Sequence, residues 1–400
     1  MINLEAPKKA GALINQAYQA AAEVFRPISR KYDRAEHTYP SELDMFAALL
    51  DGLNSSGEGG AGAAGVRRSG PDKEKGNRNG ANLNVVLGTI EMCWGDVGLL
   101  LSMPRQGLGN AAIGSVATDE QLQRFSGMWA AMAITEPSCG SDSAAITATA
   151  RLDGDHYVLN GEKIFVTSGE RADAVVVWAT LDKSKGRAAI KSFVVEKGTP
   201  GFEVVRVEHK LGIRASDTAV LRFENCRVPA ENLLGTPEID TAKGFAGVMQ
   251  TFDNTRPLVA AMAIGVARAA LEETRRILTE AGVEIDYDRP ANSQHAAAAE
   301  FLRLEADYES AYLLTLESAW MADNRKPNSL QASMAKAKAG RSVVEIALKC
   351  VELTGAYGEE SLLEKWARDA KILDIFEGTQ QIQQLIVARR VLGKSSAELK

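Results

Sequence analysis

Residues that bind metals or form disulfides are scarce in this sequence. Among its 400 residues there are four cysteines and four histidines. The cysteines, Cys93, Cys139, Cys226 and Cys350, lie far apart without a CxxC pair, and the histidines are scattered as widely. This spacing indicates neither a disulfide framework nor a metal site, so we expect reduced thiols, no bound metal and a cytoplasmic protein.

An excess of positive charge and long apolar runs are missing as well. The 46 Lys and Arg residues against 52 Asp and Glu residues give a formal net charge of −6, without the basic excess that phosphate backbones attract. No apolar run approaches the roughly 20 residues that a membrane-spanning helix needs. The first residues, MINLEAPKKA, contain no apolar signal-peptide core. We therefore expect neither a nucleic acid partner nor a membrane span.

The period of the apolar residues changes twice along the chain. Helical spacing predominates in residues 1–130, for example at Ile90 and Trp94. In residues 131–238 it gives way to alternation in short β-branched and aromatic runs, which predicts an antiparallel barrel or sandwich. Helical spacing returns in residues 239–400. The order helices, strands, helices predicts an α+β fold of three domains and argues against a βαβ nucleotide-binding sheet.

Glycine marks one predicted turn and one predicted loop. Asn160-Gly161 is typical of a two-residue turn, so we expect a hairpin between the strands on either side of it. Residues 55–82 are rich in Gly, Ser, Asn and charged residues and are predicted to form a mobile loop. Within them, Gly60–Gly65 has the GxGxxG spelling of a dinucleotide-binding turn, but no strand precedes it and no helix follows. A flexible linker is the favoured interpretation.

Polar residues stand out in two segments of the predicted β region. Met132–Ser143 combines hydroxyls, Gly and Pro, and could offer N–H and O–H groups to a ligand or form an ordinary turn. In Lys163–Gly169, alternation places Phe165 and Thr167 on one face, where a ring and a hydroxyl could meet a flat heterocycle. The alternative for this second segment is an ordinary strand end.

A third polar segment, Asp374–Ile382, precedes the last helix. It contains a single glutamate, Glu377, followed by Gly and Thr. The alternative to a functional role is helix capping, with Thr379 at the N-cap position.

In this order, the segments resemble those of the acyl-CoA dehydrogenase family. ITEPSCGSD (134–142) resembles the family's TEPGAGSD segment, and GEKIFVTSG (161–169) resembles its strand beside the flavin. TFDNTRP (251–257) and IFEGTQQIQ (375–383) are similar to its substrate-loop and catalytic segments. The resemblance extends over almost the whole chain from about residue 84. It implies FAD as cofactor and an N-terminal helical domain, a middle β-barrel and a C-terminal four-helix bundle.

The resemblance also implies roles for particular residues. Glu377 would be the catalytic base, which removes the proton next to the thioester carbonyl while a hydride leaves the β carbon for the flavin N5. Its backbone N–H and a ribityl hydroxyl would stabilise the enolate-like oxygen, and exclusion of water would raise its pKa. The residues expected to contact FAD are Met132, Ile134, Thr135, Phe165, Val166, Thr167, Thr379 and Gln381. Those expected to contact the acyl-CoA are Ser141, Asp253, Arg256 and Gly378, with a structural ion pair as an equal alternative for Arg256.

The sequence departs from the family where a neighbouring subunit usually grips FAD. In place of an Arg-x-x-Phe-Gly segment it has the acidic stretch Gly282–Pro290, and Glu352 replaces a Gln. Ala297 falls near another expected Gln, although Gln294 is close by. Carboxylates that face a diphosphate repel it, at a cost of about 1 kcal/mol or more at roughly 4–6 Å.

Two assemblies are compatible with this departure. In the favoured one, an α2β2 tetramer, this chain holds the flavin ring and the base while a related chain supplies the arginines. The rival is a homotetramer in which Arg289, or Arg275 and Arg276, takes over that role.

The expected partner is an electron-transfer flavoprotein that receives electrons from an acyl-CoA dehydrogenase of fatty acid β-oxidation. One alternative is an acyl-CoA oxidase, in which O2 reaches the reduced flavin. Another is a non-catalytic subunit that completes the site of a related chain. A length near 400 residues favours a dehydrogenase over the longer oxidases, and the presence of Glu377 argues against a non-catalytic subunit.

Overall fold

The computed structural model describes residues 8–55, 80–105, 108–239, 246–358, 360–396 and 398–399. Most of the predicted loop 55–82, including Gly60–Gly65, lies outside these residues. The described chain runs through helices, strands and helices again, so the predicted α+β class is confirmed. The helices before the sheet are α1 (Gly11–Ala20), α2 (Arg26–Arg34), α3 (Glu42–Ser55), α4 (Ala81–Gly95), α5 (Val97–Leu101), α6 (Leu108–Val116) and α7 (Asp119–Phe125).

Seven strands form a single curled sheet in the middle of the described chain. They are β1 (Ala130–Ala133), β2 (Thr149–Asp153), β3 (His156–Thr167), β4 (Ala174–Thr180), β5 (Ile190–Glu196), β6 (Phe202–Val207) and β7 (Thr218–Pro229). Their spatial order is β1-β4-β2-β3-β7-β6, with β5 paired to β4. Most pairs are antiparallel, as predicted, but β1 and β2 both meet β4 in parallel.

The predicted hairpin turn at Asn160-Gly161 is wrong. Both residues lie inside β3, and the two-residue turn is Gly154-Asp155, between the paired residues Asp153 and His156. Gly161 has a φ of 149°, and a Cβ at this position would lie 2.7 Å from the Cβ of Ala148. Close packing inside a strand, rather than a turn, therefore explains this glycine.

Five helices follow the sheet within the described residues. They are α8 (Ala246–Glu280), α9 (Ala296–Asp323), α10 (Ser329–Thr354), α11 (Leu363–Leu373) and α12 (Gln380–Leu392). The four helices expected here are present, and α11 is an addition that apolar spacing alone did not predict. At Gly265 of α8 a Cβ would lie 2.4 Å from the carbonyl oxygen of Ile90 in α4, so these two helices touch backbone to backbone.

All four cysteines are buried and unpaired, as predicted. The described helices include none that combines the length and the apolar character needed to cross a membrane.

Candidate active site

The segment that follows β1 is fixed to β3 by a buried ion pair. Nζ of Lys163 lies 2.8 Å from a carboxylate oxygen of Glu136 and 2.9 Å from the carbonyl oxygen of Ile134. Neither the lysine nor the glutamate is accessible to solvent beyond a few per cent. The N–H of Ile164 donates to the carbonyl of Thr135 at 2.9 Å. Two of the segments selected from the sequence therefore form one structural unit, the β cluster (Ile134–Glu136 and Lys163–Thr167).

Glu136 is held as a carboxylate. Burial alone would raise its pKa, but the hydrogen bond and charge of Lys163, with further hydrogen bonds, lower that pKa below its ordinary value. The N–H groups of Thr147 and Ala148 donate to its two oxygens at 2.6 and 3.0 Å. A carboxylate with this many donors serves structure and not proton transfer.

The strand β3 bulges outward at Phe165. This residue has a φ of 56°, and the pairing register with β7 shifts between Lys163 and Val166. The side chain of Val166 packs into the sheet core, which leaves the half-buried Thr167 and the 64% exposed Phe165 on the open side. A left-handed backbone costs a non-glycine residue about 1–2 kcal/mol, and such strain concentrates at functional sites.

The other predicted contacts of the β region differ in exposure. Met132 is half-buried on β1, and Ile134 is buried; both pack with the core that includes α6. Ser141 is exposed in the loop after β1. Only backbone groups of Ile134 and Val166 are therefore available to a ligand, whereas the hydroxyl of Ser141 is open to one.

Glu377 lies in the short loop between α11 and α12, in an unusual backbone conformation. Its φ is 57°, and that of Gly378 is 92°. Nε2 of Gln383 donates to the carbonyl oxygens of both residues at 3.1 Å. Nζ of Lys336, on α10, donates to the carbonyls of Asp374 at 3.1 Å and Gly378 at 2.7 Å. Two side chains from different helices thus hold the loop in its left-handed turn.

The carboxyl group of Glu377 is enclosed, although the residue as a whole keeps some accessible surface. Oγ1 of Thr255, on α8, donates to its Oε2 at 2.9 Å. Burial raises the pKa of Glu377, and the Thr255 hydrogen bond and the charges of Arg256 and Lys336 offset only part of that rise. Among the described residues, a hydroxyl group and not a cation donates to this carboxyl group. With its raised pKa, the group is suited to accept a proton. We call Thr255, Arg256, Lys336, Glu377–Thr379 and Gln383 the bundle cluster.

The start of α12 confirms the capping interpretation of Thr379. Its Oγ1 accepts a hydrogen bond from the N–H of Ile382 at 3.4 Å. Beside this cap, Oε1 of Gln380 and Oε1 of Gln383 are buried and find no hydrogen-bond partner in the part of the chain that the structure describes. Buried polar atoms are rarely left in this state, so the position suits a ligand that carries hydroxyl groups.

The remaining predicted contacts lie on or near the last helices. Arg256 is 3% exposed and contributes charge at Glu377, so it lies inside the bundle cluster and not on an outer rim. Gln381 is exposed on α12. The side chain of Asp253 falls outside the described residues.

One loop connects the β cluster with the helix that precedes Glu377. Asp217 accepts hydrogen bonds from the N–H groups of Ser168 and Glu170, just beyond β3, at 3.1 and 2.9 Å. In the same loop, the N–H of Ile213 donates to the carboxylate of Asp369 on α11 at 2.6 Å. The end of β3 and the helix before Glu377 are therefore held by a common segment.

Sequence reasoning gave no role to several side chains that hold the site together, namely Glu136, Lys163, Thr255 and Lys336. The first three lie in the motifs quoted above. Lys336 lies outside them, on a stripe of small buried residues of α10. Its helical spacing places this lysine on the same face as the small residues, and that pattern could have identified it.

The fold brings together one group of possible metal ligands away from the β and bundle clusters. One ligand atom each of Glu36, His37 and His209 lie within 4.8 Å of one another. Sequence spacing could not show this, because the residues come from distant segments. The carboxylate of Glu36 also accepts from the N–H of Lys210 at 2.8 Å and lies 3.3 Å from Arg214. Its charge is therefore already compensated within the chain.

Two family profiles match the part of the chain that carries the β and bundle clusters. Residues 131–226 match the acyl-CoA dehydrogenase middle domain, and residues 242–392 match the acyl-CoA dehydrogenase C-terminal domain. The short-chain specific acyl-CoA dehydrogenase of Clostridium acetobutylicum is 36% identical over 329 residues, which are 80% of this chain and 85% of that protein. This chain belongs to the acyl-CoA dehydrogenase family.

Solved structures agree with the acyl-CoA dehydrogenase fold. Butyryl-CoA dehydrogenase from Megasphaera elsdenii superposes with a TM-score of 0.80 at 28% identity, over 98% of this chain and 100% of that one. A chain from the structural work on the electron transferring flavoprotein of Acidaminococcus fermentans gives the same TM-score at 30% identity, over 98% and 100%. The family and the fold implied by the sequence motifs are both confirmed.

Proposed function

We propose that this member of the acyl-CoA dehydrogenase family catalyses the FAD-dependent α,β-dehydrogenation of an acyl-CoA thioester to the trans-2-enoyl-CoA. The observation that carries the proposal is the enclosed carboxyl group of Glu377. Its pKa is raised by burial, and it stands on a left-handed turn that two other side chains hold in place. A carboxylate partly stripped of water is a stronger base than one in solution.

The described residues fit FAD at both clusters. Phe165 and Thr167 offer an exposed ring and a hydroxyl, beside the backbone of Ile134 and Thr135, to the isoalloxazine. Met132 and Val166 adjoin these contacts on the same strands. When bound, FAD accepts the hydride that leaves the β carbon of the substrate.

The start of α12 fits the ribityl and phosphate part of FAD. The unpaired amide oxygens of Gln380 and Gln383 would accept hydrogen bonds from ribityl hydroxyls. The partial positive charge of the helix N-terminus, at Thr379 and Gln381, favours a phosphate.

Glu377 would take the α proton of the substrate through Oε1, because Oε2 accepts the hydrogen bond from Thr255. Its backbone N–H would bind the thioester carbonyl oxygen and stabilise the charge that develops there. Gly378 and Ser141 would lie along the thioester end, whereas the buried Arg256 would act on Glu377 through its charge.

We also infer that this chain works beside a related chain in an α2β2 tetramer. The arginines that would replace the missing grip in a homotetramer are all engaged within their own chain. The pairs are Arg275 with Glu305, Arg276 with Glu273 and Glu280, and Arg289 with Asp286. An arginine that leaves such a pair for a diphosphate leaves a carboxylate near that diphosphate, and their repulsion reduces the net gain.

Two further positions support the mixed assembly. The side-chain amide of Gln294 accepts from the N–H of Asp286 at 3.1 Å and donates to the carbonyls of Asp286 and Arg289 at 2.8 and 2.7 Å, so it serves its own loop. Glu352 lines a surface pocket of about 530 Å³ with the exposed Leu348 and Tyr357. Glu352 pairs with Lys349 at 2.7 Å, and the pocket also includes Glu364 and Arg368. Exposed apolar residues beside such paired charges suit a protein partner better than a diphosphate.

Electrons would pass from this enzyme to an electron-transfer flavoprotein, in the β-oxidation of acyl chains. The alternative acyl-CoA oxidase would pass them to O2. Peroxide release in proportion to product would identify the oxidase.

The function is tested with FAD-loaded protein, a short-chain acyl-CoA and an artificial electron acceptor. We expect a product that lacks two hydrogens, detected by mass spectrometry. Flavin-loaded protein that forms no such product from straight, branched or ring-bearing acyl-CoA esters would refute the proposal.

The assembly is tested by the FAD content of the chain purified alone. We expect a low FAD content, increased by Glu352→Gln, and no increase for the control Glu345→Gln, which removes an exposed carboxylate elsewhere on α10. Stoichiometric, tightly bound FAD in a homotetramer of the unmodified chain would refute the mixed assembly.

A further inference from the structure

Lys336 occupies a position where helix packing alone would place a small residue. It lies on the face of α10 that also buries Ala332, Ala335, Ala339 and Gly340, and its relative exposure is 0%. A buried ammonium group is costly unless it is paired. A lysine on this face is therefore retained for what its ammonium group contacts.

The contacts of this ammonium group are directed at one loop. Nζ of Lys336 lies 2.7 Å from the carbonyl oxygen of Gly378 and 3.1 Å from that of Asp374. These two carbonyls flank Glu377, whose backbone is left-handed. Gln383 supports the same turn from α12, so removal of Lys336 frees one side of the loop and not the whole loop.

The charges around Glu377 come from three elements. Arg256 on α8 and Lys336 on α10 both stabilise its carboxylate form, whereas Asp374 lies at the end of α11 and acts on Lys336. The hydrogen bonds of Lys336 go to carbonyl oxygens, so the oxygens of Glu377 are not tied up in an ion pair with it. The lysine supplies positive charge and leaves the carboxylate available to a proton.

We propose that Lys336 is a positioning residue that fixes the Glu377 loop through the carbonyls of Asp374 and Gly378 and places a positive charge near the Glu377 carboxyl group without binding it. The inference rests on the proposed dehydrogenation, in which Glu377 is the base. Lys336 itself would touch neither acyl-CoA nor FAD, because its ammonium group binds backbone carbonyls. Its burial lowers its pKa to about 8, as expected for an ammonium group whose hydrogen bonds go to neutral oxygens.

The test compares Lys336→Gln and Lys336→Arg with the control Lys338→Met in FAD-loaded enzyme. Lys338 lies two residues further along α10 and pairs with Asp307 at 2.5 Å, away from the loop. In Lys336→Gln we expect kcat to fall about 10- to 100-fold, since small displacements of a base have effects of this size, with KM and FAD content little changed. The acid limb of the kcat/KM profile should move to higher pH, because loss of a positive charge raises the pKa of Glu377.

The other two variants separate charge from support. Lys336→Arg keeps the charge, so its acid limb should stay where the wild-type limb lies and its kcat should exceed that of Lys336→Gln. Lys338→Met should match the wild type. An unchanged acid limb and kcat in Lys336→Gln, or equal losses in Lys338→Met, would overturn the proposal.

Three further outcomes are also decisive. If Lys336→Gln does not fold, Lys336→Arg carries the test, because its longer side chain should lower kcat at constant KM, and a wild-type kcat would overturn the proposal. If the wild-type enzyme with FAD dehydrogenates no acyl-CoA, the proposed function fails. If the wild type is active and the Lys336 variants behave as it does, the inference about Lys336 fails while the proposed function stands.

Discussion

The β cluster and the bundle cluster each contain a glutamate close to a buried lysine, yet the pKa values of the two glutamates are shifted in opposite directions. In the β cluster, Lys163 touches the carboxylate of Glu136 and the pKa of Glu136 is lowered. In the bundle cluster, Lys336 binds carbonyl oxygens and the pKa of Glu377 is raised. The same pair of residue types thus gives a fixed brace in one place and a proton acceptor in the other.

The difference lies in which atom the lysine touches. Direct contact with a carboxylate offsets the cost of burial and favours the charged form. A lysine that spends its hydrogen bonds on the backbone stabilises loop geometry and leaves the neighbouring carboxylate only partly compensated. The base can therefore be both well positioned and readily protonated.

The largest effect on stability should come from breaking the brace. Lys163→Met leaves Glu136 buried without its cation, and we expect the free energy of unfolding to fall by about 3–5 kcal/mol. Urea denaturation measures this loss. The double variant Lys163→Met/Glu136→Gln should lose less, because no unpaired charge remains. Equal losses in the single and double variants would show that Lys163 acts through packing and not through the ion pair.

A shorter base should reduce the rate. Glu377→Asp withdraws the carboxylate by one methylene, and we expect kcat to fall about 100-fold with FAD still bound. Steady-state kinetics on the FAD-loaded enzyme measure it. Glu345→Asp, an equally conservative change at an exposed glutamate of α10, serves as the control. A wild-type kcat in Glu377→Asp would argue that another group takes the proton.

The smallest effect should appear in the dependence of stability on pH. The folded pKa of Glu377 is raised above its ordinary value of 4.5, so its charged form destabilises the fold as pH rises through that range. Glu377→Gln should therefore gain thermal stability over the wild type as pH rises, by about 1.4 kcal/mol per unit of pKa shift. Thermal denaturation across the acid range measures the gap, and a constant gap would contradict the raised pKa.

In Glu136→Gln the stability gap to the wild type should change with pH in the opposite direction. The folded pKa of Glu136 is lowered, so its carboxylate stabilises the fold above the unfolded pKa and this contribution is lost as pH falls through the folded value. The variant should therefore fall further behind the wild type as pH rises from strongly acidic values. Gaps that change in the same direction with pH in the two variants would remove the contrast between the clusters.

Much of the fold follows from short-range patterns in the sequence. The cap of α12 at Thr379 was one of the two interpretations of its segment, because a polar cap followed by apolar helical spacing is a local signal. The strand β1, with the sequence AAMA, lacks the β-branched and aromatic residues that indicate a strand, so a local pattern does not reveal it. Asn160-Gly161 was misread because the role of Gly161 depends on Ala148, which lies on the neighbouring strand.

The site was predictable in part. Glu377, Phe165 and Thr167 stand in recognisable motifs. The contacts of Lys336 and Thr255 with the Glu377 loop depend on how three helices pack, and apolar spacing within one helix does not specify this.

The role of Glu377 as the base is tested most directly by a single turnover without oxygen. FAD-loaded wild-type protein and Glu377→Gln are each mixed with butyryl-CoA, and the absorbance of the oxidised flavin is followed. We expect the wild type to lose this absorbance. The variant should bind the ester but lose the flavin absorbance about 10²- to 10⁴-fold more slowly. Loss of the flavin absorbance at the wild-type rate in Glu377→Gln would contradict the assignment of Glu377 as the base.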